Sequence, residues 1–320
     1  MVNAPNIVTF GEAMALFVAS ESGPLSRVSA FAKRAAGAEL NVAIGLARLG
    51  HRVGWISRLG RDSFGQFILD TLAAENIDAA CVTIDEHHPT GMMLKDKCDD
   101  GSDPKTEYFR KGSAASFLSV DDYVREYVLG ARHLHLTGIS PALSSSAREF
   151  SFHLASEMRA AGNTISFDPN LRPSLWPSRE EMVETLNALS AYADIVMPGL
   201  GEGRILTGRE HPESIADYYL ERGAKLVVVK LGEAGAYFRT ESACGISPAV
   251  AVPKVVDTVG AGDGFAVGVL SAILEGRTAE AAVARGNWIG SLAVQVIGDS
   301  EGLPGREALM KYEAAGPKIV

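Results

Sequence analysis

The run Asp257-Thr-Val-Gly-Ala-Gly-Asp263-Gly-Phe265 joins a glycine-rich turn, a carboxylate and the start of a helix-like apolar stretch. Gly260, Ala261 and Gly262 can aim several backbone N–H groups at one point. Such a nest at a helix N-terminus holds an anion, because unpaired donors and the helix dipole both face it. A carboxylate at Asp263 repels the phosphate that this turn attracts. The two features are reconciled if Asp263 is a base that takes a proton from a hydroxyl while the nest neutralises the phosphoryl group under attack. The alternative is an ordinary first-turn Asp favoured by the dipole, and short glycine motifs match by chance often. Two other phosphate motifs are excluded. No Gly-x-x-x-x-Gly-Lys-Ser/Thr string occurs, and a dinucleotide fingerprint would need a third Gly where Phe265 stands, after the first strand rather than late in the chain.

The elements that must position this turn follow from hydrophobic periodicity. Short β-branched runs at Ile7–Phe10, Arg52–Ser57, His133–Leu136, Thr164–Phe167, Ile195–Met197 and Leu226–Lys230 read as strands. Amphipathic runs at Ala38–Leu49, Phe64–Ala74, Ser144–Ala160, Glu180–Ala191, Ser214–Arg222, Gly264–Leu274 and Ala279–Val296 read as helices. Alternation of this kind predicts an α/β fold: a doubly wound, mostly parallel sheet with helices on both faces. Function then belongs at the C-terminal ends of the strands. Ala13–Ala32 and Thr90–Arg110 break the pattern as alternating extended segments, and predict a small antiparallel β-sheet lid over the crevice. Asp96–Pro104 reads as a hairpin tip. The whole chain, 1–320, reads as one domain carrying that lid.

Bulk properties narrow the class. With 320 residues and 47% hydrophobic content the chain can bury a large core, and a net charge of -9 argues against a nucleic-acid or membrane-surface protein. Cys81, Cys98 and Cys244 are odd in number and widely spaced, so they frame neither a disulfide scaffold nor a zinc site, and a reduced cytoplasm fits them. The first residues lack the basic and apolar pattern of a signal peptide, and no apolar run is long enough to span a bilayer. His133 and His135 lie on one face of a strand, where a hydrogen-bonded pair is the expected role in the absence of a third metal ligand nearby.

Together these features resemble the ribokinase-like sugar kinases, the phosphofructokinase-B family. The resemblance rests on Ala36-Gly37-Ala38-Glu39-Leu40-Asn41-Val42-Ala43 and on Asp257–Gly264. Tyr108-Phe-Arg110-Lys-Gly-Ser-Ala, His135-Leu-Thr-Gly-Ile-Ser-Pro-Ala-Leu and Phe167-Asp-Pro-Asn170-Leu-Arg172-Pro-Ser-Leu-Trp176 are similar to the 2-keto-3-deoxygluconate kinases within it. The resemblance implies transfer of the ATP γ-phosphate to the terminal hydroxyl of a keto sugar acid. Asp263 would be the catalytic base, with Gly260, Ala261 and Gly262 forming the anion hole. Gly37, Asn41 and Tyr108 would line the sugar pocket, and Arg110 and Arg172 would hold the carboxylate, which guanidinium groups bind bidentately. For ATP the resemblance implies Lys230, Gly232 and Gly235 in a loop after a strand, Asn170 and Arg172 near the phosphates, Gly260 and Gly262 in the turn, and Asn287 in the adenine pocket. That loop also reads as a plain hairpin turn.

Departures from the family pattern fall on the metal and the substrate. The string Gly199-Leu-Gly-Glu202 keeps the Glu of Asn-x-x-Glu and lacks the Asn. Mg²⁺ is still expected on the ATP phosphates, with Glu202 acting only through water. Met93 stands where kinases of this subgroup often carry a tyrosine. Asp257 and Thr258 resemble residues that hold a monovalent cation such as K⁺ in some members. A homo-oligomer through lid contacts is implied as well. The readings left beside the sugar-acid kinase are a kinase for a neutral sugar such as fructose or ribose, and a catalytically silent sugar-binding protein on the same fold.

Overall fold

A computed structural model describes residues 5–97 and 104–315. Among them, thirteen strands form two sheets. In chain order the strands are β1 (Ile7–Phe10), β2 (Met14–Ala19), β3 (Phe31–Ala36), β4 (Val53–Gly60), β5 (Val82–Asp85), β6 (Gly91–Lys95), β7 (Thr106–Phe109), β8 (His133–Thr137), β9 (Thr164–Asp168), β10 (Ile195–Val196), β11 (Leu226–Lys230), β12 (Ala236–Arg239) and β13 (Cys244–Ser247).

The large sheet runs β13-β12-β11-β10-β9-β8-β1-β4-β5. It is parallel from β5 to β11, and β12 and β13 close one edge antiparallel. Alternate side chains face opposite helical layers. Ile7, Trp55 and Val228 pack with Leu40, Val267 and Leu270 on one face. Val8, Leu134, Phe167 and Val229 pack with Phe150 and Leu154 on the other. Strands buried on both faces must be continuously apolar, which is why the runs stand out in the sequence. His133 and His135 turn toward β9, where Ser166 Oγ lies 2.9 Å from a ring nitrogen of each. Burial holds both rings near a pKa of about 3, so they are neutral.

The second sheet has the order β3-β2-β6-β7. β2 pairs antiparallel with β3 but parallel with β6, so this sheet is mixed rather than purely antiparallel. Its edge strand β3 runs on to Ala36 instead of stopping at residue 32. Met14, Leu16, Val18, Ala36 and Met93 form its own small apolar core. The expected hairpin tip at 96–104 falls largely outside the described residues, as does Cys98.

Candidate active site

Chain direction reverses its spread across the large sheet at β1, which has β4 on one side and β8 on the other. The C-terminal ends of strands beside such a switch point form a crevice. Here that crevice is a cavity of about 440 Å³ between the large sheet and the small one. Its wall includes Gly37, Asn41, Tyr108, Arg110, Asn170, Arg172, Glu202, Lys230, Gly260, Gly262 and Asp263. Residues scattered over most of the chain thus meet at one place.

Two helix N-termini frame it. Gly37 precedes the helix Ala38–Arg48 with φ 145°, and a Cβ there would collide with the Glu12 carbonyl oxygen. Gly260 precedes the helix Ala261–Leu274 with φ 79°, and a Cβ there would collide with the Asp299 carbonyl. Only glycine meets both demands without strain. The second helix starts at Ala261 rather than Gly264, so Asp263 lies inside its first turn. Gly and Ala side chains carry no periodic signal, which hid that start. The N–H groups of Gly262 and Asp263 have no backbone acceptor among the described residues, as expected for a first turn. Ala261 contributes to the turn but not to the cavity wall; its N–H lies 3.4 Å from the Thr258 carbonyl oxygen.

Asn41 Nδ2 donates to Asp263 Oδ2 at 2.7 Å, tying the two helices together. Its own Oδ1 is buried without a partner. Burial above all raises the Asp263 pKa, the Asn41 hydrogen bond lowers it, Asp168 and Asp299 raise it and Arg172 lowers it, for a net value of about 7.

Lys230 Nζ pairs with Asp168 Oδ2 at 2.6 Å. Burial alone would lower the lysine pKa, but Asp168 and Glu202 outweigh it and the net direction is up. A methyl group on Gly262 would lie 3.7 Å from this ammonium, which places a fixed positive charge beside the turn. Asn170 adopts φ 40°, a conformation Asn tolerates better than most residues. Glu202 holds that loop: Oε1 accepts from Leu171 N and Oε2 from Gly199 N, both at 2.7 Å.

The two arginines differ in environment. Arg110 is partly buried against the buried Glu12, with which it forms an ion pair, and its Nε has no partner. Ser113 Oγ donates to the same carboxylate. Burial raises the Glu12 pKa, and Arg110 and Ser113 pull it back. Arg172 is exposed at the rim, its Nη1 donating only to the carbonyls of Asn170 and Leu171. It has no acidic partner among the described residues.

Three of the sequence-predicted nucleotide residues lie away from this cavity. Gly232 and Gly235 form the turn joining β11 to β12, so the hairpin reading describes them. Asn287, in the helix Ala279–Ala293, spends its amide nitrogen on Ser247 O, Ser247 Oγ and Pro248 O. It therefore anchors the segment after β13 and is not in the wall of this cavity. That segment borders a separate groove of about 640 Å³, which shares no wall residue with the acidic cavity. Sequence reasoning missed Glu12, Asp168 and Asp299 in the wall. Asp168 was the most accessible of these, as a carboxylate ending a predicted strand. No group of three or more His, Cys, Asp or Glu side chains among the described residues is arranged to hold a metal, and no described helix is long and apolar enough to cross a membrane.

The pfkB family carbohydrate kinase profile matches residues 4–306. This chain belongs to the pfkB family of carbohydrate kinases. It is 53% identical over 309 residues to a 2-dehydro-3-deoxygluconokinase of Bacillus subtilis (strain 168), covering 96% of this chain and 95% of that one. Among solved structures, a PfkB protein from Polaromonas sp. JS666 is 51% identical with TM-score 0.90, covering 97% of this chain and 100% of the other. A Ribokinase II from E. coli in complex with ATP and Mg²⁺ is 27% identical with TM-score 0.90, over 98% and 100% of the two chains. A fructokinase double mutant from Vibrio cholerae O395, with fructose, ADP and potassium ion bound, is 29% identical with TM-score 0.83, over 98% and 99%. The sugar kinase fold of this family is thus present here as the large mixed sheet, the small sheet beside it and the cavity between them.

Proposed function

We propose that this kinase phosphorylates the terminal hydroxyl of 2-keto-3-deoxygluconate at the expense of ATP, as a single 1–320 domain whose small sheet, about 13–32 and 90–110, is the lid. One observation carries the reading. Asp263 sits inside a helix N-terminal turn with free N–H donors, in the same cavity as two arginines. The name of the B. subtilis relative supports the choice of sugar acid.

In this reading Asp263 accepts the hydroxyl proton as the sugar oxygen bonds to the γ-phosphorus and the bond to the ADP oxygen breaks. Gly260, Ala261 and Gly262 shape the turn, whose free N–H groups, those of Gly262 and Asp263, face the charge that develops, each worth roughly 3 kcal/mol in a preset hole. Asn41 holds Asp263 in place through Nδ2 and offers its free Oδ1 to a sugar hydroxyl. Gly37 lets the sugar approach the backbone, and Tyr108 lines the pocket. Arg172 takes the carboxylate from the rim, and Arg110 contributes its unpaired Nε. Lys230 and the Asn170–Arg172 loop receive the phosphates, while Gly232, Gly235 and Asn287 shape the nucleotide side from behind. Mg²⁺ neutralises the phosphate oxygens when bound; Glu202, whose oxygens already brace two backbone N–H groups, would reach it only through water. A cytoplasmic homo-oligomer joined through the lid completes the proposal.

A second reading, a neutral keto sugar such as fructose, is favoured by the Arg110–Glu12 pair, because Glu12 already neutralises one arginine, and by Met93, which donates no strong hydrogen bond. The deciding experiment is an ADP-release assay with MgATP on 2-keto-3-deoxygluconate, 2-keto-3-deoxygalactonate, fructose and ribose. Turnover of the sugar acids alone is expected. Turnover of fructose or ribose alone would keep the Asp263 role and overturn the carboxylate reading. Sugar-acid binding without turnover would indicate a silent binding protein.

A further inference from the structure

Behind the phosphate turn lies a buried charge cluster that the reaction just described does not use. Lys95, the last residue of β6, is 1% exposed, and its Nζ lies 2.5 Å from Asp257 Oδ2 and 3.7 Å from Asp299 Oδ1. Asp257 also accepts from Val259 N at 3.1 Å and from Gly298 N at 3.2 Å. It therefore joins the start of the turn to the segment whose Asp299 carbonyl packs on Gly260. Two carboxylates so deep require a cation, because an unpaired buried charge costs several kcal/mol.

The potassium-bound fructokinase and the likeness of Asp257 and Thr258 to cation-holding residues point to a soluble ion as that cation. The residues present here do not fit one. The ammonium of Lys95 already sits on Asp257, and the space beside it, lined by Asp96, Lys97, Pro104, Val256, Asp257 and Ile297, is only about 10 Å³. That is at the lower limit for a single water. We propose that Lys95 is a tethered monovalent cation: it does the charge neutralisation of a soluble ion behind the turn, removes the requirement for K⁺, and links the small sheet to the phosphate site. The inference assumes that the 257–263 turn is the phosphate site, and is independent of which sugar is phosphorylated.

The test compares KCl, NaCl and tetramethylammonium chloride at equal ionic strength, reading both ADP release and the unfolding midpoint. A coupled effector ion changes affinity by about 5–150-fold. The wild-type protein is expected to vary by less than the bottom of that range and to unfold at one midpoint in all three salts. A K⁺-dependent rate or midpoint in the wild type overturns the proposal. Lys95→Ala opens room for an ion. It is expected to lose at least about fivefold in tetramethylammonium chloride and to regain it, with a raised midpoint, in KCl or NH₄Cl. Lys95→Met fills the space without charge and is expected to stay impaired in every salt. Full activity of either variant in tetramethylammonium chloride also overturns it. The midpoint does not depend on turnover, so a wrong sugar cannot imitate a wrong cation assignment. Should Lys95→Ala fail to fold in every salt, the wild-type midpoints alone decide.

Discussion

Asp263 is held between influences of opposite sign, and this sets its chemistry. Burial, Asp168 and Asp299 push its pKa up, to about 7, against Asn41 and Arg172. A base works only when ionised, so kcat/KM should fall as pH drops through about 7, tracing an acid limb in a pH–rate profile. Asp263→Asn should keep sugar and MgATP binding while lowering turnover by about 10²–10⁴-fold, and the residual rate should lose that limb. Near-normal turnover in this variant would remove the base assignment. The arginines make a contrasting prediction. Arg110→Ala strands the buried Glu12 carboxylate and should destabilise folding by about 3–5 kcal/mol, read by denaturant unfolding. Arg172→Ala, at the exposed rim, should leave stability within about 0.5 kcal/mol and raise KM for a sugar acid. That Asp263, Asn41 and the two arginines meet in one cavity was legible because each sits in a string that resembles a family motif. Glu12 and Lys95 were not. Lys95 meets Asp257 across 162 residues of sequence, and nothing local distinguishes a lysine that ends an apolar strand from a solvated one.

The helix starts do more for the site than the helix bodies. Gly37 and Gly260 each place a first turn against a backbone carbonyl, of Glu12 and of Asp299, with no room for a side chain. Gly260→Ala should therefore displace the turn, at a strain of about 1–3 kcal/mol, and reduce turnover more than it reduces stability. Comparing its kcat with its unfolding midpoint checks this. Strand and helix identities were legible because both faces of the large sheet are covered, giving continuous apolar strands and amphipathic helices. The first turn at 261–263 was hidden by its small residues. The extension of β3 to Ala36 was hidden by Lys33 and Arg34, exposed charges on an edge strand. The parallel β2–β6 pairing was not legible either, because side-chain alternation is the same for both strand directions.

Across the molecule, the small sheet is the part that reaches outward. Tyr108 and Phe109 on its edge strand β7 are 49% and 54% exposed, an apolar edge able to recruit a second sheet. Replacing both with Ser should shift the protein to a smaller species in size-exclusion chromatography coupled to light scattering; an unchanged mass would place any interface elsewhere. The large sheet has a different lesson. Its first strand in sequence is an interior strand in space: Ile7 pairs with Val53 on one side and with His133 on the other. The Asn41–Asp263 bond spans 222 residues. During synthesis, β1 thus emerges long before its second neighbour exists, and such non-local closure is slow and leaves strand edges open to aggregation. The nascent chain must carry an unfinished sheet for most of its translation, and a ribosome that stalls before residue 261 releases a scaffold whose cavity lacks Gly262, Asp263 and Asp299.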